Sequence, residues 1–323
     1  MSDFNSVLET VERRFNELQP VDRYGQLNQF RFKATENNRP ELRSFADSTN
    51  GIPQTLILKE HALKQLCTRI GVPYSFFSKC PPPLQEFNVA WFMQNLEKEK
   101  DVMLRIVQSN QVRAIVSDRY ATFDDIELFR ILADFMDGTE EVVIQSFEDK
   151  SSHVRITWPS NAEEIQPGDV VKQGLHIANS EVGMRSVTIM GMVYRLKCKN
   201  GLVSREKRGG FRHIGNPERI RSNVQQVIED VKNDSERLLE KFKRSLVKEI
   251  EKPIDVIEQL AQNHDLTQDE YKAILDSFMA EPSKNLFGVV NAVSNSAQRC
   301  SDMDRRYEVE SLASNVLDTG LTV

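Results

Sequence analysis

The sequence is poor in the residues that build covalent or metal frameworks. Its four cysteines, Cys67, Cys80, Cys198 and Cys300, are widely scattered with no CxxC pair, so neither a disulfide framework nor a zinc site is expected. Glycine (14) and proline (12) are too sparse for extended disorder. No apolar run approaches the ~20 residues of a bilayer-spanning helix, so no membrane partner is expected. The opening stretch MSDFNSVLETVERRF carries charge where a secretory signal carries an apolar core, which points to the cytoplasm. The histidines, His61, His153, His176, His213 and His264, show no metal-ligand spacing of the HExxH kind, and no Gly-rich phosphate-binding motif follows a strand. HIANSEVGMRS brings Ser180 and Ser186 near Glu181 and His176 in sequence but is not a nucleophile elbow. Nothing assembles an acid, a base and a nucleophile, so the expectation is a protein without catalytic residues, metal or cofactor.

What is present describes an α+β fold. Of the 323 residues, 39% are hydrophobic and 28% charged, a globular balance that supports a sizeable core. Phe4, Val7, Leu8, Val11, Phe15 and Leu18 make one apolar stripe on an opening helix stopped by Pro20. TLIL at 55–58 reads as a strand, followed by helices around Leu63–Ile70 and from Pro82 to Lys98. Strands are expected over Val102–Val107 and Val112–Ser117, then a helix capped near Asp124. VVIQSF, HVRITW, DVVKQGLHIANS and SVTIMGMVYRL give four more strands. The simplest assembly is one central, mostly antiparallel sheet with helical cover. It is followed by a helical C-terminal region with one long helix of ~45 Å from Ser222 onward, long enough to cross a surface or pair with another chain. The TQDE stretch at 267–270 has capping-box spacing and starts a further helix. Three regions follow: a helical and strand region over 1–99, the sheet core with a basic patch over 100–221, and the helical region over 222–323. Tyr24, Phe30 and Phe32 are expected in the core, Trp91 and Phe92 on the packed side of their helix, and Arg119 paired with Asp118 or Asp124.

The departure from an ordinary composition is local. The chain carries a net charge of −6, yet the segment from Arg185 to Arg221 holds ten basic residues against Glu206 and Glu218. By contrast, Ser222–Leu260 mixes seven basic with nine acidic residues, as a solvated helix does. Such a concentration focuses potential toward an anionic partner. Arg195, Lys197 and Lys199 would share one face at a strand end. CKNG would turn the chain with positive φ at Asn200-Gly201, and a basic glycine-containing loop would follow. Cations track phosphates and an aromatic stacks on a base in a single-stranded nucleic-acid groove. The candidate binding residues are therefore Arg185, Arg195, Lys197, Lys199, Arg205, Lys207, Arg208, Phe211, Arg212 and His213. The competing reading is that the basic segment balances acidic neighbours within the fold or at a subunit interface.

Several stretches, in order, carry a resemblance: RAIVSDRYATFDDIELFRIL, GLHIANSEVGMRSVTIMGMVYRLKCKNGLV and FRHIG. Through Arg113, Ser117, Arg119, Tyr120, Asn179, Ser180, Gly183, Ser186, Arg195, Cys198, Asn200, Gly201, Arg212, His213 and Gly215, the chain resembles the phage- and plasmid-like proteins built on domain of unknown function 932. LFGVVNAVSNSA echoes the same family, with Phe287 where the family tends to have Trp and Ser294 where it tends to have Thr. The resemblance covers roughly residues 100–315. It implies a mobile-element setting, phage or plasmid in a bacterial host, and carries no catalytic residues.

The expected function is a non-catalytic protein that binds single-stranded DNA as a homo-oligomer, of the annealing or recombination-mediator type. Two alternatives stand beside it. One is a phosphate-handling nucleic-acid enzyme using His213 and nearby arginines; the other is an interaction protein that binds a host factor through its basic patch.

Overall fold

The computed structural model describes residues 3–35, 39–44, 55–95, 101–108, 110–203, 209–214 and 217–319. It opens with α1 (Phe4–Leu18), capped by the Asp3 carboxylate and closed by Gln19 in a left-handed conformation. The strands β1 (Val21–Gln26), β2 (Phe30–Lys33), β3 (Glu41–Ser44) and β4 (Thr55–Leu58) follow. Next come α2 (Glu60–Ile70), the single turn α3 (Tyr74–Phe77) and α4 (Pro82–Gln94). Then β5 (Asp101–Val107) and β6 (Gln111–Ser117) lead into α5 (Asp125–Ala133). A second group of strands comprises β7 (Glu141–Phe147), β8 (Ser152–Gln166), β9 (Asp169–Asn179), β10 (Val187–Arg195), β11 (Asn200–Val203) and β12 (Gly209–Phe211). The chain ends in α6 (Pro217–Ser245), α7 (Pro253–Asn263), α8 (Gln268–Ala280), α9 (Leu286–Ser296) and α10 (Met303–Thr319). Among the described residues no helix is long and apolar enough to cross a membrane.

The fold class is α+β, but two sheets replace the single sheet expected. The first has the order β1-β5-β6-β4-β3-β2 and is antiparallel except where β4 pairs with β6. The second runs β11-β10-β9-β8-β7, with β12 also on β10, and is antiparallel throughout. The first sheet draws four strands from the N-terminal region and two from beyond residue 100, so it crosses the boundary expected at 99/100. These N-terminal strands are short, and VDRYGQ shows no apolar alternation, which is why the sequence pattern understated them.

Packing explains the helices. β5 and β6 are buried on both faces: Leu104, Ile106 and Ile115 pack with α2, and Met103, Ala114 and Val116 pack on Val182 beside the buried Arg105 and Arg113. α6 lays Val224, Val227, Ile228, Val231, Leu238, Leu239 and Phe242 into the interior along β9 and β10, so this apolar stripe is buried within the chain. The approach is close: a Cβ on Gly191 would stand 3.2 Å from the Ser235 nitrogen. At β9, a Cβ on Gly174 would meet the Ile156 carbonyl oxygen at 2.0 Å, so only glycine fits where β8 bulges. The capping box at Thr267 and Glu270 forms as its spacing predicts.

Two core expectations are corrected. Phe30 and Phe32 are buried, but Tyr24 sits on edge strand β1 with 56% of its surface exposed. Phe92 packs against the core with Val89 and Met93 as expected, but Trp91 lies with Leu84 and Phe87 on an exposed stripe along α4. α4 is apolar on both sides, so its sequence could not show which side faces inward.

Candidate functional site

The basic segment divides into two places with opposite character. At the end of β10 the strand stops at Arg195, and residues 196–199 turn the chain into β11, pairing Arg195 with Asn200. Lys197 and Lys199 are therefore turn residues and do not continue a strand face. The left-handed position is Lys199 (φ 52), not Asn200-Gly201, which lie in β11.

Arg195 is 2% exposed and cannot present its guanidinium to a nucleic acid. Its Nε donates to Asp169 at 2.8 Å, and its Nη1 and Nη2 donate to Glu281 at 2.7 and 2.9 Å. Lys197 donates to the same Glu281 at 2.7 Å. The hydrogen bond from Arg195 is the main reason the Glu281 carboxyl is held down to about 2. Around this clasp, Asn200 donates to Ser294 at 2.6 Å and Asn291 donates to Glu281 at 3.0 Å. Cys198 sits half-buried against Arg195, with burial raising its thiol. A Cβ on Gly201 would crowd Arg155 Nη1 at 3.0 Å, a guanidinium that is fully buried against Glu310 and has little room to shift.

The second place is a cleft between the two sheets, where β6 runs out and the turn joining β9 to β10 meets the strand end after β12. It encloses about 360 Å³ and is lined by Gln65, Arg69, Val116, Ser117, Tyr120, Gly183, Met184, Arg185, Ser186, Arg212, His213 and Ile214. Three of those residues are arginines and, among the described residues, none is an Asp or Glu. Arg212 is exposed and makes no ion pair among the described residues; the same holds for Arg119, between Ser117 and Tyr120. Asp124 is taken by Arg105, with Nη1 at 2.7 Å, which removes it as the expected partner of Arg119. Arg69 donates its Nε to the Ile115 carbonyl at 2.9 Å. Arg185 is ion-paired with Asp304 behind the cleft wall and lies over the Tyr307 ring.

A buried polar network holds this cleft open. Glu181 takes the Arg113 guanidinium on one oxygen and the Asp125 N–H at 3.0 Å on the other. Glu181 therefore caps α5, while the Asp124 side chain makes no cap bond. Burial alone would raise Glu181, but Arg113, the hydrogen bonds and Arg105 together hold it low. Burial, and then repulsion from Glu181, pushes Asp125 up to about 7. Asn179 donates to Asp125 at 2.9 Å and to the Phe123 carbonyl at 3.1 Å. His213, 5% exposed, stacks on Tyr120 at 5.0 Å with its ring nitrogens 3.2 Å from the Ala121 carbonyl and 3.1 Å from Asn179 Oδ1. Burial pushes its imidazole down to about 4, so at neutral pH only one of those two contacts carries a proton. The ring is part of the cleft wall and not an exposed phosphate ligand. Gly183 (φ 77) is required in the turn, since a Cβ would stand 3.2 Å from Val116.

The remaining expected residues divide as follows. Phe211 in β12 is half-buried and packs against the core, so its ring does not stand free for a base. Arg221 pairs with Glu127 at 3.0 Å. Arg205, Lys207 and Arg208 lie outside the described residues, as does Gly215. For Arg185, Arg195, Lys197 and Arg221, balance by acidic neighbours within the fold is what the structure shows. Gln65, Arg69, Met184 and Ile214 were not anticipated as site residues; Arg69 lies on the polar side of α2, far from the segment in sequence.

A family model matches residues 112–322, more than half of the chain. The chain belongs to the family described as Domain of unknown function (DUF932). No curated protein and no solved structure matches it. Residues that carry the family resemblance gather at the two places just described: Arg113, Ser117, Tyr120, Asn179, Ser180, Gly183, Arg212 and His213 around the cleft, and Arg195, Cys198, Asn200 and Gly201 around the clasp. Among the described residues no group of three or more His, Cys, Asp or Glu is placed to hold a metal ion.

Proposed function

We propose that the chain is a non-catalytic nucleic-acid-binding protein that holds the phosphates of a single strand, preferably DNA, along the arginine-lined cleft between its two sheets. The observation that carries this reading is the lining itself: Arg212 and Arg69 border one opening with no carboxylate among its described residues, with Arg185 beside them held by Asp304. A cation-lined concavity raises the local concentration of an anionic strand even on a protein of net negative charge. The groups that could do acid–base chemistry there, His213 and Tyr120, have their polar atoms committed to the fold, which favours binding over catalysis.

The setting proposed with it is a mobile element, phage or plasmid, in the cytoplasm of a bacterial host. Annealing or recombination mediation is the task that needs strand holding without a nucleophile, and a homo-oligomer is the form that would spread it along a strand. The test is fluorescence anisotropy of a labelled single strand, the matching duplex and inorganic polyphosphate as competitor. The reading expects the single strand to bind most tightly and polyphosphate to compete poorly. Absence of binding at low salt overturns it, and equal displacement by any polyanion favours a protein partner with an acidic surface.

A further inference from the structure

We infer that the mouth of the cleft contacts an unstacked nucleobase through Met184 and Ile214, and that this contact makes the site selective for single strands; the inference rests on the nucleic-acid reading above. Met184 is 53% and Ile214 61% exposed, and both border the cavity that Arg69, Arg185 and Arg212 line. The fold keeps these two apolar side chains in the open by pinning their backbones. The Met184 N–H donates to Ser180 Oγ at 3.0 Å, and the Ile214 N–H donates to the Arg212 carbonyl at 2.7 Å. Ile214 also bridges to Tyr120, the residue stacked on His213.

The aromatic residues nearby do not offer a platform. Tyr120 and His213 stack on each other, and Phe211 packs against the core. Apolar contact at the opening is therefore left to a thioether and a branched aliphatic chain. Met packs well on aromatic rings, and Met and Ile are among the side chains that proteins place against opened base steps. The cavity of about 360 Å³ has room for a base, and Arg212 and Arg69 beside it can supply charge for the adjoining phosphate. In a duplex each base is already stacked and paired, and entry would cost unstacking.

The experiment compares a labelled oligo-dT with an abasic strand of equal length on the wild-type protein, then on the Met184→Ser, Ile214→Ser double variant. The inference expects wild type to bind oligo-dT at least about threefold tighter than the abasic strand. In the double variant, oligo-dT should fall to the abasic level while abasic binding stays unchanged. Equal binding of both strands by wild type overturns the base contact and leaves phosphate binding in the cleft standing. If neither strand binds, the nucleic-acid reading falls and this inference with it.

Discussion

Arg195 and Arg212 come from one short basic segment, yet the fold gives them opposite surroundings. Arg195 is 2% exposed between Asp169 and Glu281; Arg212 is exposed at a cleft with no carboxylate in its described lining. The first is a structural cation, whose removal strands buried negative charge. The second is available to an anion from outside. Charge density along a sequence cannot tell these apart, because Glu281 and Asp304 reach the segment only through the packing of the C-terminal helices.

The comparison can be broken by substitution. Arg195→Met should have the largest effect, about 3–5 kcal/mol of lost stability, because Asp169 is left buried without its partner. Chemical denaturation measures it, and a loss below about 1 kcal/mol would mean the clasp is open to water in solution. Gly201→Ala should cost about 1–3 kcal/mol by driving a methyl toward Arg155, read by the same denaturation curves.

A smaller effect should appear in pH. The folded His213 is pushed from its ordinary 6.5 down to about 4, so between those values the unfolded chain binds the proton and the folded chain does not. Its contribution is present above pH 6.5 and is lost as pH falls toward 4. The thermal midpoint of His213→Gln should fall less than that of wild type across this window; parallel curves would place the imidazole in solvent. Glu281 acts lower on the scale: held down to about 2, it contributes stability above its ordinary range that is lost as pH falls toward 2. The smallest change in stability is expected for Arg212→Glu, within about 0.5 kcal/mol, since the side chain is exposed and makes no ion pair among the described residues.

Much of the fold was legible where one periodicity dominates. The strands around Val102–Ser117 and Val187–Arg195, the opening helix and the Thr267 capping box stand where the pattern puts them. The first sheet was legible only in part: β4, β5 and β6 follow the pattern, whereas β2 and β3 have four residues each and β1 lacks apolar alternation and pairs with β5 far along the chain. The cleft was legible only on one side. Arg212 announced itself by charge, whereas Arg69 and Gln65 reach it from α2, and Glu181 showed no sign of capping a helix that begins 56 residues earlier. Long-range geometry of that kind leaves no local trace in composition.

The most direct test is the salt dependence of single-strand affinity for wild type and Arg212→Glu, measured by anisotropy over a series of salt concentrations. Log affinity should fall linearly with log salt, and the variant should bind more weakly with a slope shallower by about 0.7 or more, as expected when a phosphate contact is lost. Identical slopes and affinities, with the fold intact, would contradict the cleft as the place where the strand is held.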